Sequence, residues 1–393
     1  MTESFPSAAR DQTSLRRVNE LSVLAVLRAG ESQPLREVAE ATGLSWRTTQ
    51  VVAEALEAHG WLASTETDIG NRRSVGRPAR HYRFRPGVGH VVGIDVGTRR
   101  VQVQVADLAA TTVADSHEAV SPRDSATTRL AAAERALRAA LQSAGLDPAD
   151  IWAAVMGTSG VVGPDGTVTA STLLPGWSGL HPAERLGAVL PCRIEVANDS
   201  NLAALAERWL GHRAPTMLYL MTGVRLGAGL VIGGQLHRGS TGAAGEIGAL
   251  RGVGWHDAAD RLIAHGDGDP AADPATAADQ VFQKARNGDP AALGAVDRFV
   301  ADIAHGATAM VLTLDPDLVV LGGGFAGAAD LLLPRLADEL ARSCLHPPRL
   351  QASGLGDDAV IRGALRLALD AVEQRITSLD SAVPLTPAAI RPN

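Results

Sequence analysis

Residues 222–234, TGVRLGAGLVIGG, have the glycine spacing of a loop whose backbone amides close around a phosphate, yet Arg225 stands in the middle of it. A side chain there fills space that glycine leaves open, while its guanidinium is itself an anion binder. The loop can therefore meet something negative without positioning a triphosphate for transfer. A second concentration of chemistry is the run Arg72, Arg73, Arg77, Arg80, Arg83 and Arg85, six arginines in fourteen residues with no acid among them. Such a run is either a contact for nucleic-acid phosphates or a solvated linker, and composition alone leaves both open. A third is Ser45-Trp46-Arg47-Thr48-Thr49-Gln50, each of whose side chains can hydrogen-bond, at the start of a helix.

The elements around these residues decide how each group is presented. Leu15, Val18, Leu21, Leu24 and Leu27 recur at helical spacing up to Gly30. A second helix follows Gln33-Pro34 with Leu35, Val38 and Ala39 on its apolar side, and it stops at Gly43. A third starts at the N-cap Ser45 and buries Val51, Val52, Ala55 and Leu56, which leaves Trp46 to Gln50 exposed in its first turn. WLAST and HYRFR then alternate like hairpin strands around a basic tip containing Gly and Pro. Helices alone would equally suit a protein-interaction module. Helix, turn, polar helix and arginine-bearing wing in this order point to a winged helix-turn-helix bound to double-stranded DNA. Arg47, Thr48, Thr49 and Gln50 are the expected base readers. Arg72, Arg73, Arg77 and Arg80 are expected to hold phosphates or enter the minor groove.

The charge agrees with this division. Residues 1–87 hold 12 Arg against 10 acids, net +2, which leaves 24 basic against 33 acidic residues and net −9 for the remainder of a chain whose total is −7. Beyond residue 87 the pattern changes to strands alternating with helices: GIDVGT turning into a second strand from Val101 to Val105, a helix over 127–144, IWAAVMGTSGVV, CRIEVANDSNLAALAERWLG, a helix near 292–313, and DLVVLGGGFAGAADLLLPRL. That is an α/β body with its functional turns at strand ends. Length divides the 393 residues into 1–87, 88–376 and a tail, 377–393, whose lack of periodicity predicts disorder. The absence of a signal pattern and of a long apolar run predicts a cytoplasmic protein without a membrane span. Cys192 and Cys344, far apart, read as buried small hydrophobes rather than a disulfide framework or metal set.

GIDVGT, LPGW (174–177), ANDSNLAALAE (197–207), GAAGEIG (242–248) and LDPDLVVLGGG (314–324) occur in the order that identifies the chain as resembling the ROK family. In that family, actin-like sugar kinases and sugar-responsive repressors share a two-lobed ribonuclease H-like body, and the repressors add an N-terminal winged helix-turn-helix. The resemblance implies that Asn198, Asp199 and Glu246 bond sugar hydroxyls, Asp199 being the general base in kinases. From the residues alone, Asp199 also suits the N-cap of the helix that follows. Both phosphate turns depart from the kinase pattern. Thr98 and Arg99 stand where the first has Gly and Thr, and Val224 and Arg225 stand where the second has Thr and Gly. The family histidine is replaced by Ala249, and LRGVGWHDAADRLIAHG holds no cysteine, so no zinc of the family type and no other cofactor is expected. These departures argue against ATP-dependent transfer. They imply a regulator, expected to be a repressor of carbohydrate-related genes, acting as a homodimer or a dimer of dimers on an inverted-repeat operator and sensing a carbohydrate effector. Two alternatives stay open: an active sugar kinase with a DNA-binding extension, and a scaffold that binds DNA without a ligand.

Overall fold

The computed structural model describes residues 8–66, 80–250, 252–265, 269 and 272–392. Three helices open the chain: α1 (Ala8–Ala29), then after the short strand β1 (Gln33–Pro34) come α2 (Leu35–Thr42) and α3 (Trp46–Ala58). Gly43 ends α2 in the left-handed region at φ 69°, and Ser45 caps α3 by accepting the Thr48 N–H at 3.1 Å. Strands β2 (Leu62–Glu66) and β3 (Arg80–Phe84) pair antiparallel from Leu62↔Phe84 to Glu66↔Arg80, with β1 on the other side of β3. The two strands flanking the basic tip therefore pair as the alternation implies. Arg72, Arg73 and Arg77 lie outside the described residues.

Two expectations for these helices are corrected. Leu24 and Leu27 of the expected stripe are buried, but Leu15 and Val18 are 63% and 57% exposed, and Arg17, Glu20 and Val23 complete the buried face of α1. In α3 the buried stripe is Thr49, Val52, Ala53 and Leu56, and Val51 is exposed. The buried face of α3 is thus turned by about one residue from the one its apolar side chains suggest, with the small Ala53 inside the cluster it shares with α1. Thr49 can be buried because its hydroxyl donates to the Ser45 carbonyl at 3.1 Å.

The body contains two five-stranded sheets of the same topology. The first comprises β4 (His90–Val96), β5 (Arg100–Asp107), β6 (Thr112–Ala119), β7 (Ile151–Thr158) and β10 (Ile194–Asn198), in the order β6-β5-β4-β7-β10. Helix α4 (Ala126–Ala144) lies between β6 and β7. The small hairpin β8 (Val161–Val162) and β9 (Val168–Ala170) and helix α5 (Pro182–Leu186) lie between β7 and β10. Helix α6 (Asp199–Leu210) leads into the second sheet, which comprises β11 (Met217–Met221), β12 (Gly227–Ile232), β13 (Gln235–His237), β14 (Leu318–Gly322) and β15 (Arg349–Ala352), in the order β13-β12-β11-β14-β15. Each sheet is an antiparallel meander of three strands joined by two parallel strands, which is the duplicated arrangement of a two-lobed actin-like body. Helices α7 (Ala258–His265), α8 (Pro274–Arg286), α9 (Pro290–Leu314) and α10 (Ala329–Ser343) build the second lobe's core around Phe282, Phe299 and Phe325.

Helix α11 (Ala359–Ser378) returns the chain to the first lobe and packs on β4, β7 and α6. Gly363 is needed there: a Cβ at that position would lie 1.9 Å from the Leu202 carbonyl of α6. The segment expected to be disordered after Ile376 is instead ordered. It continues as a turn and the short helix α12 (Pro387–Ile390), with Leu385 and Ile390 buried. Its sequence lacks periodicity because it fills a crevice between other elements rather than forming a face of its own. No helix among the described residues is long and apolar enough to cross a membrane, and both cysteines are buried.

Arg129 of α4 is fully buried, and its Nη1 and Nη2 donate to the carbonyls of Gly97 (2.5 Å) and Ser121 (2.8 Å). Burial pulls its pKa down. It bolts the turn between β4 and β5 to the helix beneath. An Arg129→Leu variant is expected to lose about 3 kcal/mol, read as a lower denaturant midpoint, because two carbonyls of the turns around α4 lose the donor that holds them.

Candidate nucleic-acid interface and ligand cleft

The outer face of α3 carries Trp46 (58% exposed), Arg47, Gln50 and Val51 (62% exposed). Arg47 is exposed. Gln50 is half-buried with Nε2 donating to Glu54 at 2.9 Å, and the Thr48 hydroxyl lies 2.8 Å from that of Ser45. Of the expected base readers, Thr49 is the one removed by burial. Its place on the surface is taken by Val51, an apolar group of the kind that meets a thymine methyl. Arg80 is exposed on β3 but engaged: it pairs with Glu57 of α3 at 2.7 Å and lies over the Tyr82 ring at 5.1 Å. That pair ties the hairpin to α3. Arg83, on the other face of the same strand, is exposed.

The candidate ligand cleft lies where α6 begins. Asn198, not Asp199, caps the helix: Asn198 Oδ1 accepts the Asn201 N–H at 3.0 Å and its Nδ2 donates to the Gly160 carbonyl at 3.0 Å. One amide hydrogen and one lone pair remain for a ligand. Asp199 is released from capping, and its Oδ1 accepts the Ser200 N–H at 2.7 Å. Burial pushes the Asp199 carboxyl up to about 6, with Ser200 opposing the shift and Glu246 adding to it. At the end of β4, burial and the charge of Asp199 push Asp95 up to about 7. Glu246 is exposed as a residue, yet enough protein surrounds its carboxyl to raise its pKa by desolvation. The fold thus gathers Asp95, Asp199 and Glu246 into one carboxylate-lined cleft. Asp95 was not singled out as a site residue, although an acid closing the buried strand of GIDVGT was the available signal.

The arginine-bearing loop is pinned at both ends. Thr222 is buried and donates from its backbone N–H and its hydroxyl to the Gly322 carbonyl, at 2.7 and 2.9 Å. A Cβ at Gly227 or Gly229 would lie 2.2 Å from the Ser200 hydroxyl or 2.4 Å from the Ser200 carbonyl, so these glycines let β12 lie against α6. The loop keeps its shape for packing. Arg225 reaches the Val224 carbonyl at 3.0 Å and approaches Asp260 of α7 at 3.8 Å. Arg99 of the other turn pairs with Asp273 at the start of α8. Both arginines in the phosphate turns are thus met by acids of the second lobe. Ala249 ends a short turn over Ile247–Ala249 at the cleft's edge. A cavity of about 560 Å³ is lined by Asn198 together with Gly163, Arg193, Glu195, Arg238 and Arg375, and includes neither Asp199 nor Glu246. The candidate ligand cleft is the one at the carboxylates, where polar groups converge.

The ROK family model matches residues 91–253 and 263–371, which span both lobes. The chain belongs to the ROK family. An N-acetyl-D-glucosamine kinase of Pasteurella multocida is 31% identical over 208 residues, covering 45% of this chain and 67% of that protein. A putative xylose repressor of Caldicellulosiruptor sp. is 22% identical over 388 residues, covering 90% of this chain and 96% of the repressor. A solved ROK family transcriptional regulator, a homologue of the E. coli MLC protein, superimposes with a TM-score of 0.70 at 17% identity, over 90% of this chain and 96% of that one. ROK relatives of both kinds thus share this body, and the likeness to the two regulators extends over the helices that precede it.

Proposed function

We propose that this ROK protein is a DNA-binding transcriptional regulator, a repressor of carbohydrate-related genes, whose kinase-like body binds a sugar or related small molecule without phosphorylating it. The observation that carries this reading is the combination in one chain of a capped α3 presenting Arg47 to solvent with a body whose two phosphate turns hold Arg99 and Arg225 against acids of the second lobe. Phosphoryl transfer depends on geometry and placed charge, and turns that carry an arginine drawn toward an acid of the second lobe, in place of the kinase Thr and Gly, are poorly matched to both. A twofold pair of such chains would present two α3 helices to the half-sites of an inverted repeat. A sugar that binds one lobe arrangement better than the other would shift the spacing between those helices.

Sequencing the DNA that copurifies with the protein, then measuring affinity for those fragments with and without a panel of hexoses, pentoses and their amino derivatives, tests both halves of the reading. Loss of affinity with one sugar is the expected result, and no change across the panel removes the sensor. In calorimetry with that sugar, Asp199→Ala is expected to abolish binding and Asn198→Ala to weaken it about tenfold. Heat from no sugar at all would leave the ligand-free scaffold.

A second reading, an active sugar kinase, is favoured by Asp199 itself, whose raised pKa suits a base accepting a hydroxyl proton near neutrality. Turnover of ATP with hexoses by the wild-type chain, lost in Asp199→Asn, is the result that would establish it.

A further inference from the structure

The helices that carry Arg47 do not bury a core separate from the body. Trp61, between α3 and β2, is fully buried. Its ring stacks on Phe84 at 6.3 Å, meets Trp152 of β7 edge-on at 6.1 Å, and its Nε1 donates to the Leu385 carbonyl at 3.0 Å. Arg17 of α1 is 7% exposed; its Nη1 donates to the Leu379 carbonyl at 3.2 Å, its Nη2 to the Val383 carbonyl at 2.5 Å, and its Nε to Glu20 at 3.2 Å. Leu385 and Ile390 belong to the same apolar cluster as Leu24, Leu56 and Trp61. Arg391 donates to the Ala149 carbonyl at 2.7 Å and pairs with Asp150 at 3.3 Å. The segment after α11 therefore runs from α1 to the turn before β7 and is pinned at both ends. Upstream, α11 touches α6 at Gly363, and α6 begins at the Asn198–Asp199 cleft.

We propose that residues 379–392 are a strap that sets the orientation of the winged helix on the body, with Arg17 and Trp61 as its positioning residues, and that α11 carries displacements of α6 into that strap. The physical reason is that a buried guanidinium and a buried indole N–H each lose their acceptor if the strap slides, so intermediate positions are penalised and two discrete seatings are favoured. The functional meaning rests on the DNA-binding reading; the mechanical coupling does not.

Hydrogen exchange on the full chain tests it, comparing wild type with Leu385→Asp and with Trp61→Phe. In Leu385→Asp the amides of residues 8–66 are expected to exchange about tenfold faster, and in Trp61→Phe about threefold faster, while β4 and β7 keep their protection. The proposal is overturned if the strap's own amides exchange freely in Leu385→Asp and residues 8–66 keep wild-type rates. Should Leu385→Asp fail to fold, Trp61→Phe decides by the same comparison of residues 8–66. On the copurifying DNA, Trp61→Phe is expected to relax the preferred half-site spacing, a change that loss of stability alone does not produce; unchanged spacing preference removes the orienting role. If wild type binds no DNA, the DNA-binding reading falls, and exchange alone decides the strap.

Discussion

A chain with alanine at Arg72, Arg73 and Arg77 is expected to bind its DNA fragments roughly a hundredfold more weakly near physiological salt, and equally so for specific and unrelated sequences. Each phosphate contact releases condensed counterions. Removing three should flatten the plot of log affinity against log salt by about 2.7, at roughly 0.9 per contact. Arg47→Ala should behave differently, costing about 1–3 kcal/mol on the preferred sequence while leaving the salt slope and non-specific affinity nearly unchanged. Thr49→Val is the control, since Thr49 is buried against the start of α3 and can alter stability but not sequence preference. Electrophoretic or fluorescence titrations at several salt concentrations separate these outcomes. If the triple variant keeps wild-type affinity and slope, the basic tip is only a solvated connection.

Stability is expected to fall as pH rises from about 4 to about 7. Asp95 and Asp199 are pushed up to about 7 and about 6, chiefly by burial. With folded-state pKa values above the unfolded ones, the folded chain holds more protons than the unfolded chain in this window. The stabilising contribution is therefore complete below the unfolded carboxylate range and is lost as pH climbs through the folded values. Asp95→Asn should flatten that slope and raise stability at pH 8 by about 2 kcal/mol, a shift of a few degrees in Tm, with little effect at pH 4. Thermal scans across pH 4–8 check it, and a parallel pH profile for the wild-type and Asp95→Asn chains would place the carboxylates elsewhere. The cost of holding two ionised acids together is one a bound polyol can relieve, because its hydroxyls donate to both.

The helix-turn-helix order, the strand pairing around the wing and the α/β alternation were legible because each depends on local periodicity and capping. Ser45 caps α3 as its side chain implies, and Gly43 stops α2 where only a left-handed residue fits. Which face of α3 is buried was not legible. Val51 and Thr49 exchange the places their polarity suggests, since burial there is decided by the fit against α1 and a threonine can satisfy its hydroxyl locally. The cap at α6 is a similar case: Asn198 and Asp199 are adjacent and chemically interchangeable as caps, and the backbone torsion at the end of β10 selects Asn198.

The order of elements, the family to which the body belongs and the presence of arginine in both phosphate turns follow from the linear chain, because motifs, caps and turns act over a few residues. Three things belong to the tertiary structure alone. Asp95 joins Asp199 only when two strand ends and a helix start converge; Arg99 and Arg225 find their acids only across the second lobe; and residues 379–392 acquire order only from a crevice lined by Arg17, Trp61 and Leu56. Each depends on partners far away in sequence, where no local propensity reaches and where burial, rather than composition, decides which charges and which loops are held.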